Sequence, residues 1–177
     1  MTNKSKIIYR SFSYGEIHLT LAAFEGKLCL CDWQDSVKYD SGIRKITRTL
    51  RAKMAPEDPE NPNPVLSLAE TELSEYLRGE RRRFSVPLLI TGSDFHLKAM
   101  NHLLTIPYGE TATYKDLADK LTDGGRMSQC IGSCVGSNLL SIFIPCHRVI
   151  SRQFSNGGYR GGLTMKKLLL ELENRNK

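Results

Sequence analysis

The residues best equipped for chemistry are Cys146 and His147, adjacent in the run Ile144-Pro145-Cys146-His147-Arg148-Val149. A thiol becomes a nucleophile when it loses its proton, and a neighbouring imidazole can take that proton directly or through a water. The pair follows an apolar run, Leu139-Leu140-Ser141-Ile142-Phe143, that reads as a buried strand ending at Pro145. A buried cysteine is ordinarily a small inert hydrophobe, so the pair gains meaning from its surroundings. Asn138 stands upstream. A glycine-rich segment, Asn156-Gly157-Gly158-Tyr159-Arg160-Gly161-Gly162, follows downstream, and Glu173 lies on a terminal helical pattern.

The elements that must position these residues fill the second half of the chain. A boundary falls near Thr91-Gly92-Ser93, giving domains 1–91 and 92–177. Beyond it, Phe95, Ala99 and Leu103 share a helical face. Ile106 to Gly109 is a turn. Thr113 and Asp116 read as a capping box opening a helix from Tyr114 to Leu121. A glycine-containing loop, 122–127, leads to a short helix from Ser128 to about Gly136. Two short helices so joined are consistent with a helix-turn-helix. The second is rich in small residues (Cys130, Gly132, Ser133, Cys134, Gly136), which permits close approach to a neighbouring helix or a DNA groove. Ser151 to Gly162 reads as a hairpin or wing, and Thr164 to Arg175 as a last helix burying Met165, Leu168, Leu169 and Leu172.

The first half reads as a small α/β unit with antiparallel strands. Ile7–Phe12, Ile17–Leu21 and Leu28–Trp33 are strands joined by short turns, among them Glu25-Gly26. Asp40 to Met54 reads as one helix, with Ile43, Ile46, Leu50 and Met54 inward and a basic face of Arg44, Lys45, Arg48, Arg51 and Lys53 outward. Ser67 and Glu70 form a second capping box, and Phe84–Ile90 reads as a further strand.

Composition bounds the rest. The chain has 177 residues, 40% of them apolar, and a net charge of +6, which permits nucleic-acid binding without demanding it. Five cysteines, an odd number, suit reduced thiols in the cytoplasm. No stretch reads as a signal peptide or approaches the roughly 18 apolar residues of a membrane span.

From Phe95 to Glu173 the motifs closely resemble the O6-alkylguanine-DNA alkyltransferases, and the likeness extends over essentially the whole chain. The resemblance implies a ribonuclease-H-like α/β domain followed by a winged helix-turn-helix domain. It implies irreversible transfer of an alkyl group from guanine O6, and less readily thymine O4, to Cys146, one turnover per molecule and no cofactor. His147 would be the general base acting through a water, keeping the sulfur ionised. Glu173 would be the carboxylate orienting the imidazole, a triad logic. Tyr114 would assist the leaving guanine, and Asn138 would brace the turn before the active-site segment. Tyr159 would wall the pocket, the backbone at Arg160 would face O6, and the carbonyls of Cys146 and Val149 would recognise the exocyclic amine. The partner implied is double-stranded DNA bearing O6-alkylguanine, met by a monomer whose helix from Ser128 enters the minor groove.

Two positions depart from the family pattern. An arginine usually fills the gap left by the flipped base, and here an ungapped count back from Pro145 reaches Gln129, with Arg126 three residues earlier. Arg160 stands where some relatives have serine. Cys29 and Cys31, with His18 nearby, lack a fourth ligand, so no zinc is expected. Three other readings differ in chemistry: an alkylated-DNA binder without repair, an alkylation-responsive regulator, and a cysteine hydrolase. Cys146 argues against the first. The second lacks its extra N-terminal region, and nothing marks an oxyanion hole for the third.

Overall fold

The computed structural model describes residues 5–122, 128–151 and 158–177, with the side chains of Ser128 and Gln129 outside that description. Two compact units divide at Thr91/Gly92.

In the first unit, β1 (Lys6–Tyr14), β2 (Ile17–Phe24) and β3 (Lys27–Trp33) form an antiparallel meander. Glu25 and Gly26 both have positive φ, 47° and 77°, the conformation a two-residue hairpin turn requires to match strand twist. The sheet is mixed rather than antiparallel, in the order β3-β2-β1-β4. Helix α1 (Tyr39–Leu50) carries the chain across, and β4 (Lys53–Pro56) then pairs parallel to β1. A parallel neighbour needs such a crossover. The helix expected to run to Met54 stops because Arg51 turns left-handed, φ 51°, and its N–H closes on the Arg48 and Thr47 carbonyls. Non-glycine residues adopt that conformation at a cost, so nothing in the sequence marks the stop.

Helix α2 (Pro64–Leu77) buries Leu66, Ala69, Leu73, Tyr76 and Leu77. Its cap is Asn63, whose side chain accepts from Val65 N and Leu66 N, with Pro64 in the first turn where no amide donor is missed. Ser67 and Glu70 therefore lie inside the helix, and Glu70 pairs with Arg10 instead. Phe84–Ile90 makes only an isolated bridge to Leu28. Pro87 lacks the donor a strand needs there. Buried Glu72 holds this segment, accepting from Ser85 N and Val86 N.

The second unit is helical. Helix α3 (Asp94–Leu103) starts at the Ser93 cap and buries His96, Ala99, Met100 and Leu103. Gly92, φ 150°, passes so close to the His96 ring that a Cβ would stand 2.6 Å from it. Helix α4 (Tyr114–Leu121) opens on the Thr113–Asp116 capping box, and α5 (Ser128–Gly136) follows. Ser137 Oγ lies 3.3 Å from His96 Nδ1, tying the end of α5 to α3. Two short strands, β5 (Ala112–Thr113) and β6 (Val149–Ile150), pair parallel. Helix α6 (Gly162–Arg175) closes the unit. Residues 123–127 and 152–157, which hold Arg126 and half of the expected wing, lie outside the described residues. Among the described residues no helix is long and apolar enough to cross a membrane.

Candidate active site

The run 139–143 is no strand. Its chain bends through Ile142 in the left-handed region, φ 73°, and closes a bridge between Ser141 and Ile144. The reason is local. Asn138, 1% exposed, accepts from Leu140 N at 2.9 Å and donates to the Ile144 carbonyl at 3.1 Å, folding six residues around its amide. The same Nδ2 donates to Cys146 Sγ at 3.2 Å. Cys146 opens a single 3₁₀ turn, Cys146–Arg148, directly after Pro145. The apolar run thus serves as a tightly buried loop that delivers the sulfur.

That turn aims its next two side chains at one carboxylate. His147 Nε2 lies 2.7 Å from Glu173 Oε1, and both residues are 0% exposed. Arg148 forks onto the same group, with Nη2 3.0 Å from Oε1 and Nε 3.0 Å from Oε2. Gly109 N donates to Oε2 at 2.9 Å. Arg148 is itself held by the Ile106 carbonyl, 2.6 Å from Nη1, and by the Tyr108 ring, 5.7 Å below its guanidinium carbon. Because a carboxylate only accepts, His147 must carry its proton on Nε2, which leaves Nδ1 as the basic nitrogen.

Burial sets the protonation states. It pushes the Cys146 thiol up to about 11, against the opposing effects of the Asn138 hydrogen bond and the charges of Lys166 and Arg160. Burial also lowers His147, outweighing Glu173. Both shifts favour a neutral thiol and a neutral imidazole at rest and run against the expectation of a sulfur ionised at rest. Desolvation is the largest cause, because the cysteine is only 3% exposed. A stability prediction follows. Since the folded pKa lies above the ordinary 9.0, the contribution of this group is intact below about pH 9 and is lost as pH rises through 11. The alkaline loss of stability should be smaller in Cys146→Ala than in the parent by about 2 kcal/mol, measured by urea unfolding from neutral pH to pH 11.

The other expected residues gather at the same place. Burial raises the Tyr114 hydroxyl, and the charge of Cys146 raises it further, so the two are electrostatic neighbours. Tyr159 meets the His147 ring edge-on, with centroids 6.4 Å apart. The Cys146 carbonyl accepts from Val149 N, and the Val149 carbonyl accepts from Lys166 Nζ at 2.6 Å. Each oxygen keeps a second lone pair for an incoming amine. The Gln129 backbone lies on α5, but its side chain, that of Ser128 and all of Arg126 fall outside the described residues.

Sequence reasoning overlooked Arg148, Lys166 and Gly109 as parts of this site. One signal was available. Lys166 and Glu173 stand seven residues apart on α6, two turns along one face, with Leu169 between them. These three are the buried residues of α6, whereas Met165, Leu168 and Leu172 are only half-buried. The remaining cysteines differ from Cys146. Cys29 and Cys31 are buried in β3, and burial pushes Cys29 up to about 12. Cys130 is exposed and Cys134 half-buried on α5. Among the described residues no group of three or more His, Cys, Asp or Glu could hold a metal ion.

A mixed α/β unit followed by a helical DNA-binding unit is the OGT-like fold, the architecture of a DNA-repair methyltransferase. A family model described as the 6-O-methylguanine DNA methyltransferase, DNA binding domain, matches residues 94–175. The inducible methylated-DNA–protein-cysteine methyltransferase of Bacillus subtilis is 43% identical over 104 residues, 59% of this chain and 58% of that protein. The match therefore spans less than two thirds of that relative's length. The Mycobacterium tuberculosis H37Rv methyltransferase is 42% identical over 113 residues, 63% of this chain and 68% of that protein. The crystal structure of Mycobacterium tuberculosis OGT in complex with DNA superposes with a TM-score of 0.79 and 32% identity, covering 96% of this chain and 94% of that one. The chain belongs to the methylated-DNA–protein-cysteine methyltransferase family, which repairs O6-methylguanine in DNA.

Proposed function

We propose that this chain performs the family's repair reaction with Cys146 as the alkyl acceptor. One observation carries the reading: the sulfur sits in an amide hydrogen bond from Asn138, one residue from an imidazole that Glu173 holds in its base-competent tautomer. The lesion must first leave the duplex stack. Cys146 Sγ then attacks the O6-alkyl carbon in line. The new S–C bond forms as the C–O bond breaks, and the thiol proton passes through a water to His147 Nδ1. The guanine anion leaves with a proton from the Tyr114 hydroxyl. Glu173 stabilises the imidazolium, so charge appears only as the reaction proceeds, in keeping with the neutral resting pair. Residues 92–177 act as a winged helix-turn-helix, with α5 in the minor groove and Gln129 or Arg126 filling the gap. Tyr159 and the Arg160 backbone line the base pocket. Residues 1–91 form a ribonuclease-H-like structural domain. O4-alkylthymine is a poorer substrate, the product thioether is permanent, and the protein works as a cytoplasmic monomer without a cofactor.

Intact-mass measurement after incubation with O6-methylguanine DNA should show a gain of one methyl, mapped to the peptide holding Cys146. Binding without a mass change would favour an alkylated-DNA binder and remove the repair reading. A second expected result concerns Gln129. Gln129→Gly should slow repair in duplex about ten-fold or more, the effect of removing one stacking or space-filling side chain, while reaction with free O6-benzylguanine keeps its rate. Equal slowing of both would take Gln129 out of the opening step.

A further inference from the structure

We infer that the exposed face of α1, with the turn into β4 that follows it, is a second DNA-binding surface, a phosphate-tracking patch on the first unit. The inference rests on the repair reading only in taking duplex DNA as the partner. Residues 43–53 hold Arg44, Lys45, Arg48, Arg51 and Lys53 and no acidic residue. All five cations are exposed, while Ile46 on the opposite face is fully buried. Arg44 and Arg48 stand one turn apart, and Arg51 closes the helix at its C-terminal end.

Two features separate this face from an ordinary solvated helix surface. First, among the described residues none of these five cations forms an ion pair, whereas other arginines of the same unit do. Arg10 pairs with Glu57 and Glu70, Arg78 with Glu80, and Arg81 with Glu72 and Glu75. Second, the left-handed position at the helix end, where glycine is least strained, is filled by Arg51 at φ 51°. Conformational ease alone would not place a cation there. Unpaired arginines and lysines close together, with the exposed hydroxyl of Thr49 beside them, present the donors that phosphate oxygens accept. A protein that scans duplex DNA for rare lesions needs such sequence-independent affinity, which comes from counterion release and is read as a salt slope.

The test uses the full chain carrying Arg44→Gln, Arg48→Gln and Arg51→Gln. A control of equal net charge carries Lys6→Gln, Lys27→Gln and Arg83→Gln, exposed cations elsewhere on the unit. Affinity for a short undamaged duplex is measured across a salt series. The α1 variant should bind roughly ten-fold more weakly at moderate salt, and its log–log salt slope should shrink by about two to three, near 0.9 for each phosphate no longer neutralised. The control should keep the parent slope. Equal weakening in both variants would mean that net charge alone matters and would overturn the inference, as would an unchanged slope in the α1 variant. Reaction with free O6-benzylguanine, followed by mass, is read in parallel. Failure there in the parent would sink the repair reading and leave the comparison of slopes intact.

Discussion

Glu173→Gln is expected to be the most damaging single-atom change in this protein, lowering both alkyl transfer and stability. The carboxylate accepts N–H donors at both ends: from His147 and Arg148 at Oε1, and from Arg148 and Gly109 at Oε2. An amide has one accepting end. If its NH₂ replaces Oε2, it faces the donors of Gly109 and Arg148. If it replaces Oε1, it faces His147, which must then shift its proton to Nδ1 and lose the lone pair that would take the thiol proton. Either way Arg148, 7% exposed, keeps a charge with no counter-charge. Breaking a buried ion pair by removing one partner costs about 3–5 kcal/mol, a large share of the ~5–15 kcal/mol that holds a domain together. Misorienting the imidazole should slow transfer by about a hundred- to ten-thousand-fold. Urea unfolding checks the first effect, and single-turnover transfer from free O6-benzylguanine, at a temperature where circular dichroism shows the variant folded, checks the second. The two can be separated. Adding Arg148→Met to Glu173→Gln removes the stranded charge, so it should restore most of the stability and little of the rate. A Glu173→Gln protein that transfers within a few-fold of the parent would show that the carboxylate serves stability alone.

The sequence was most readable where local chemistry decides local structure. The Glu25-Gly26 hairpin and the Thr113–Asp116 cap formed as their residues require, because each depends on a few adjacent positions. It was least readable where tertiary contacts override the local pattern. Ile43, Ile46, Leu50 and Met54 keep a helical period across the end of α1, yet Met54 belongs to β4. An apolar run cannot by itself distinguish a strand from a buried loop, and the Asn138 side chain, with the backbone bond from Ile144 N to the Leu140 carbonyl, holds Leu139–Phe143 as a loop. At the site, Cys146, His147 and Glu173 were legible as a motif. Arg148 and Lys166 were not, because long charged side chains are nearly always solvated. Their burial could be foreseen only by asking which charges a buried carboxylate and a buried thiol would need nearby. Neutrality of the resting thiol was equally hidden, since it depends on how many surrounding atoms exclude water.

Lys166→Met should lower the rate and leave stability nearly unchanged, unlike Glu173→Gln, which lowers both. Lys166 is 7% exposed, and burial lowers its pKa, while the charge of Cys146 raises it. Its Nζ donates to the Val149 carbonyl at 2.6 Å. A nearly buried ammonium held by a neutral carbonyl is an expensive feature for a fold, and methionine fills similar space without the charge. Loss of the hydrogen bond and relief of desolvation oppose each other, so the net change in stability should stay within about 1 kcal/mol. Linkage has a definite sign here. A lysine whose folded pKa is depressed makes stability rise with pH as it passes the folded pKa, so its removal should leave the alkaline fall due to Cys146 steeper. Transfer should suffer more. Without the nearby cation the thiol moves further above about 11, and an opposite charge at close range typically shifts a pKa by about one to three units. The rate at neutral pH should fall about ten- to a thousand-fold, and its rise with pH should move to higher pH. Lys166→Arg, which keeps the charge, should recover part of the rate. If Lys166→Met left the pH–rate profile in place, the ammonium would be acting only on Val149, and the positive charge around the sulfur would have to come from Arg160, the other cation whose charge lowers the thiol.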